Sequence, residues 1–218
     1  MWKIMTAIPI GLAAWLGLRA WYCHKEMGIK QLSDYGQVWK KKDGIWIDII
    51  ALAGMPCAYL LGWYHGLPYV QCLRNALVFG WLLVIALIDG KKQIIPRTLT
   101  NAGWGCWVLL SVTAMVTGTT VKHVLVFSAG GLLLGGGVLF VCRLVSKGGM
   151  GMGDVRLFAV LGVLYGMNYT FSILFFTIVL MSVYGLIAIL IRRKGMKSML
   201  PMGPFALMAY GVCIVLGV

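Results

Sequence analysis

Acidic side chains are scarce in this chain: six aspartates and glutamates stand against nineteen lysines and arginines in 218 residues, and charged residues make up only 11%. A soluble domain carries roughly 25% charged residues, so the composition argues against one. Hydrophobic residues at 61% and a mean hydropathy of +0.90 point instead to a chain that crosses a membrane repeatedly. Paired cysteines are missing as well. Cys23, Cys57, Cys72, Cys106, Cys142 and Cys213 stand singly, which offers no Cys-x-x-Cys zinc site and leaves small buried apolar residues as their expected role. No period-two alternation of apolar and polar residues suggests barrel strands. The net charge of +13 suits either nucleic acid or cytoplasmic membrane loops, and its distribution selects the loops.

A bilayer span takes about 20 mostly apolar residues. Eight stretches answer to this, at roughly 4–22, 45–65, 69–88, 98–118, 121–142, 155–166, 169–191 and 202–218, the sixth of them short. The expected fold is therefore all-α, a polytopic membrane helical bundle of about eight transmembrane helices. Residues 1–74 form N-terminal spans with a short basic loop, and residues 75–218 a core. The first stretch has no convincing small-x-small cleavage site and is read as a retained span. Fifteen of the nineteen basic residues fall in alternate loops, around 23–44, 91–97, 143–156 and 192–197. Those loops are then cytoplasmic and both termini outside.

Against this background two acids stand out. Asp89 ends the apolar run Trp81-Leu-Leu-Val-Ile-Ala-Leu-Ile-Asp89, just before Lys91 and Lys92. Asp154 closes the Gly-rich turn Lys147-Gly-Gly-Met-Gly-Met-Gly-Asp154. The plain alternatives are a solvated acid paired with a lysine for Asp89 and a helix N-cap for Asp154. Both acids are placed at the cytoplasmic ends of apolar helices, where ionisable groups are functional by default. Asp48, one turn inside span 2, is read as a helix-dipole partner. Gly130, Gly131, Gly135, Gly136 and Gly137 are read as a close-packing surface. His24, His65 and His123 are too scattered for a metal set.

Two neighbouring carboxylates can hold a water between them and share one proton, because like charges a few ångströms apart do not both ionise. One then acts as general base on the water and the other as general acid towards the scissile carbonyl. Amide hydrolysis follows with no metal and no covalent intermediate. The glycines of the turn, Gly151 and Gly153 among them, permit backbone to approach the partner helix and an extended substrate.

Gly151-Met152-Gly153-Asp154 resembles the Gly-x-Gly-Asp motif of membrane aspartic proteases, and the wider pattern resembles the type IV prepilin peptidase family. In that family the first aspartate ends a span shortly before an Ile-Pro step, matched by Asp89, Ile95 and Pro96. The last span begins with Pro-x-Gly-Pro, matched by Pro201, Gly203 and Pro204. The resemblance covers roughly 75–218. It implies an aspartic endopeptidase that removes the basic leader of prepilin-like or pseudopilin precursors at the cytoplasmic face of the inner (plasma) membrane, with Asp89 and Asp154 catalytic and no cofactor. Gly151, Gly153, Pro96, Pro201, Gly203 and Pro204 would position backbone and substrate. Anionic lipid would neutralise the basic face that meets a basic leader. Loop 23–44 lacks the paired cysteines of the family's bifunctional branch, so neither zinc nor N-methyl transfer is expected.

Two rival readings are weaker. A presenilin-like protease has Tyr before its first aspartate and Pro-Ala-Leu near its end, whereas Ile88 precedes Asp89 here and Pro204-Phe-Ala-Leu207 interrupts the tripeptide. A transporter or scaffold with a proton relay would place its acids near the bilayer midplane.

Overall fold

The structure, a computed structural model, describes residues 42–116, 118, 120–147, 149–192 and 200–217, together with residue 16. Every secondary-structure element among them is helical: α1 Lys42–Tyr64, α2 Tyr69–Lys92, α3 Arg97–Val116, α4 Val121–Val145, α5 Met152–Arg192 and α6 Met202–Leu216. Four of these, α2, α3, α4 and α5, are long and apolar enough to cross a membrane, while the apolar parts of α1 and α6 are shorter. Fewer spans are therefore described than the eight expected. The expected span 4–22 lies outside the described residues apart from Leu16, as do most of the basic residues of loops 23–44 and 192–197.

Two compact units divide within α2, after Val84. In the first, α1 and the start of α2 form an antiparallel pair. The Gly54 backbone lies against the Phe79 ring, Gly80 against Met55 and Gly62 against Cys72, and Tyr59 meets Tyr69 edge to face at 6.3 Å.

The second unit is built around the first arm of α5. The helix is broken at Gly166, whose φ of 72° and ψ of −173° belong to no helix and are strained for any residue with a Cβ. Beyond the break the chain folds back. The Thr170 hydroxyl donates to the Leu161 carbonyl at 3.4 Å, although nine residues of unbroken helix would separate them by roughly 13 Å. The arm 152–165 is about 20 Å long at 1.5 Å per residue, too short for a hydrocarbon core of about 30 Å. From Val155 to Tyr165 all its residues except Arg156 are buried, so this arm is enclosed by protein. The sixth stretch is short because it is an inner helix.

α4 runs antiparallel to that arm at near-contact distance. A Cβ on Gly131 would strike the Gly162 carbonyl, one on Gly135 would strike the Phe158 carbonyl, and one on Gly136 would come within 2.9 Å of the Ala159 Cβ. The expected close-packing surface is thus present at three of its five glycines. Gly137 has nothing within 4 Å and Gly130 nothing nearer than 3.8 Å. The same stretch, Leu133–Gly137, widens into a π-helical turn, a feature with no signature in the hydropathy pattern. Ser128 ties the layer together, donating to the Val163 carbonyl at 3.1 Å and accepting from Trp107 Nε1 at 2.9 Å. α6 closes the other side through a buried Tyr165–Tyr210 hydroxyl pair at 2.6 Å.

Outer faces carry large apolar residues, including Leu109, Val112, Leu133, Val141, Phe171, Leu186 and Leu190, as lipid contact demands. Cysteine corrects one expectation. Cys72 and Cys213 are buried, but Cys57 and Cys142 are exposed on such faces.

Candidate active site

Asp89 sits in the last turn of α2. The helix runs on to Lys92 and is closed by Gln93, in the left-handed region at φ 54°, whose N–H donates to the Asp89 carbonyl at 2.8 Å. This is the αL form of C-cap, and Lys91 and Lys92 complement the carbonyl end. The Asp89 side chain is 4% exposed, so it is not the solvated acid of the plain alternative. Its Oδ2 accepts the Gly203 N–H at 2.7 Å. Gly203 is the second residue of α6, and its amide is one of the four that a helix N-terminus leaves without an intrahelical partner. The carboxylate satisfies that amide.

Asp154 is placed by a different device. α5 begins at Met152, so Gly151 occupies the cap position and Asp154 is the third helical residue rather than the N-cap. The Gly151 N–H donates back to its carboxylate, which is the reciprocal half of a capping box. Asp154 is half-buried and close enough to Asp89 for the charge of one to act on the other. The two acids anticipated from sequence are therefore neighbours, one at the end of α2 and one at the start of α5.

Two contacts hold the ends of these helices together. A Cβ on Gly153 would fall 2.9 Å from the Ile95 Cβ, so the turn and the α2–α3 connection touch because residue 153 has no side chain. Ile95 itself is buried, and Pro96 caps α3, its carbonyl accepting from Leu99 and Thr100 at 3.2 and 3.4 Å. Pro204, in the first turn of α6 where proline is tolerated, lies 3.7 Å from the Cβ position of Gly90. Pro201 is half-buried just before α6.

Arg143, in sequence one loop charge among several, is a further contributor. Its guanidinium donates through Nη1 to the Met150 carbonyl, pinning the Gly-rich turn to the end of α4. Nothing in the sequence marks it apart from the other basic residues, because the seven-residue span it closes depends on the turn's conformation. Among the described residues no three His, Cys, Asp or Glu side chains cluster. The chemistry at hand is that of two carboxylates.

An all-helical membrane protein that brings two carboxylates together at the meeting of three helix ends is of the class able to activate a water with paired acids. Comparison with known proteins narrows this. The model of the type IV leader peptidase family matches residues 76–186, a stretch that contains both acids, and the chain belongs to that family. It is 27% identical over 135 residues to the prepilin leader peptidase/N-methyltransferase of Bacillus subtilis (strain 168), covering 61% of this chain and 51% of that protein. Proteins of the same name from Pseudomonas putida and Stutzerimonas stutzeri are 26% and 28% identical over 179 and 174 residues, each match covering 76% of this chain and 58% of the relative. The chain thus spans between half and three fifths of the length of these relatives. No solved structure matches it.

Proposed function

We propose that this protein is an aspartic endopeptidase that removes the basic leader from prepilin-like or pseudopilin precursors, with Asp89 and Asp154 as its catalytic pair. The observation that carries the reading is the juxtaposition of those two acids within the region shared with the family. One carboxylate takes a proton from a water as it attacks the scissile carbonyl, and the other protonates the departing amine. Gly151 and Gly153 position Asp154 and the turn, Pro96 fixes the start of α3, and Pro201, Gly203 and Pro204 aim the α6 amide at Asp89. No cofactor enters.

The alternation of basic loops supports the finer topology: about eight apolar helices, the sixth of them the inner arm, both termini outside, and the site at the cytoplasmic face of the inner membrane. The precursor's apolar helix then stays in the bilayer while its leader reaches the site, with anionic lipid offsetting the basic surface. Methyl transfer, part of the relatives' names, is not assigned to this chain.

The test presents purified wild type, Asp89→Asn and Asp154→Asn in liposomes with a panel of prepilin-like substrates, and reads the product N-terminus by mass spectrometry. Cleavage at the leader boundary by wild type alone is expected. Normal turnover by either variant removes that residue from the mechanism, and a further mass gain with added methyl donor would restore methyl transfer.

A further inference from the structure

We propose that the short connection between α2 and α3, at Ile94 and Ile95, is the edge along which the substrate's scissile segment is laid as an added strand. The proposal rests on the peptidase reading above. A peptide bond must be extended to be reached by two carboxylates, and an extended peptide needs backbone partners. The helix interiors offer none, since their amides and carbonyls are spent internally.

Several described backbone groups of the Gly-rich turn are also occupied. The Gly149 N–H donates to the Ser146 carbonyl at 3.1 Å, the Met150 carbonyl accepts from Arg143, and the Gly151 N–H donates to Asp154. By contrast, residues 94–96 are non-helical, and among the described residues the backbone groups of Ile94 and Ile95 make no hydrogen bond. Open backbone groups at a non-helical step are able to pair with an added strand. The segment lies five residues beyond Asp89 and touches Gly153, so it borders both acids.

Its side chains divide as those of a strand do. Ile95 is buried against Gly153, while Ile94 is 65% exposed and free to meet an apolar side chain of the peptide. Pro96, with no N–H to offer, ends the edge. The ligand this edge suits is an extended peptide held mainly through its backbone, which tolerates varied leader sequences.

The test replaces Ile94 by the photo-crosslinker p-benzoylphenylalanine in the Asp154→Asn variant. After gel filtration confirms a folded protein, the variant is irradiated in liposomes with a synthetic peptide that has a basic leader followed by an apolar helix. Adducts within about three residues of the scissile bond are expected at the strand spacing of about 3.3 Å per residue, with none from the crosslinker at lipid-facing Leu109. In parallel, wild type is given peptides with single ester-for-amide replacements near the cleavage site. Losses in kcat/KM of roughly 3- to 10-fold at alternate positions are expected, one backbone hydrogen bond each. Cleavage of the all-amide peptide without adducts at position 94, or with ester effects that show no alternation, overturns the strand edge and leaves the peptidase standing. No cleavage by wild type overturns the peptidase reading and the edge with it.

Discussion

Asp89 and Gly203 are 114 residues apart in sequence, yet the carboxylate of the one accepts the backbone N–H of the other at 2.7 Å. The bond joins the carbonyl end of α2 to the amide end of α6 and satisfies an acid that is 4% exposed. It fixes where one oxygen of Asp89 points. The Pro-x-Gly-Pro step acquires a physical meaning from it: prolines bracket the turn that starts α6, and the glycine lets its amide reach the acid.

Gly203→Ala tests that meaning. A Cβ there would stand 3.0 Å from Asp89 Oδ2, 3.1 Å from Asp89 Cβ and 3.3 Å from the Ala86 Cα. Two of these neighbours belong to Asp89, so the strain falls on the carboxylate. Displacement by a few tenths of an ångström to 1 Å should cost roughly 10- to 100-fold in kcat, with the protein still folded by gel filtration. An unaltered kcat would show that the position of Asp89 does not depend on this approach.

Gly153→Ala makes a sharper demand, because its Cβ would lie 2.9 Å from the Ile95 Cβ. The turn must move away from the α2–α3 connection and carry Asp154 with it. A loss of cleavage of about 100-fold is expected on the same misplacement argument. Ile95→Ala should give no rescue, since alanine retains the offending Cβ, whereas Ile95→Gly should recover part of the rate. Rescue by the alanine would locate the conflict elsewhere.

Arg143 holds the Met150 carbonyl and thereby the conformation that leads into Asp154. Arg143→Met, which keeps length and loses the donor, should lower kcat by about tenfold or more while leaving KM nearly unchanged, because the turn is loosened and no substrate contact is removed. Arg143→Lys should recover part of kcat through its remaining donor. A variant whose KM rises with kcat intact would place Arg143 on the substrate.

The positions of the acids were legible in the sequence because a carboxylate at the end of an apolar run is costly and therefore informative. The helical class was legible for the same reason, since a span must satisfy its own backbone. What stayed hidden depends on contacts between distant segments. Gly166 reads as one glycine among 29, and only its φ of 72° reveals that the stretches around 155–166 and 169–191 are an inner and an outer arm. The burial of the inner arm follows from α4 and α6 lying against it, which hydropathy cannot express because lipid-facing and protein-facing helices are equally apolar. Gly203, Arg143 and Ile95 matter through partners 114, 7 and 58 residues away, and no local pattern encodes those pairings.

The contact between α4 and the inner arm gives the last prediction and separates packing from catalysis. Gly131 and Gly162 face each other so closely that a Cβ on either would overlap the other's carbonyl, and both neighbours are backbone that cannot rotate away. Gly162→Ala should therefore force the helices apart and destabilise the fold by about 1–3 kcal/mol or more, seen as a lower temperature of aggregation in detergent. Gly137→Ala on α4 has open space around it and should leave that temperature unchanged, or raise it slightly through helix propensity. Because Gly162 lies more than two turns along the arm from Asp154, residual folded Gly162→Ala protein should bind substrate weakly or not at all only to the extent that the arm has shifted. If both alanine variants melt alike, the glycine surface is not what sets the spacing of α4 and the inner arm, and the close approach between them would have to be held by the Ser128 bonds to Val163 and Trp107.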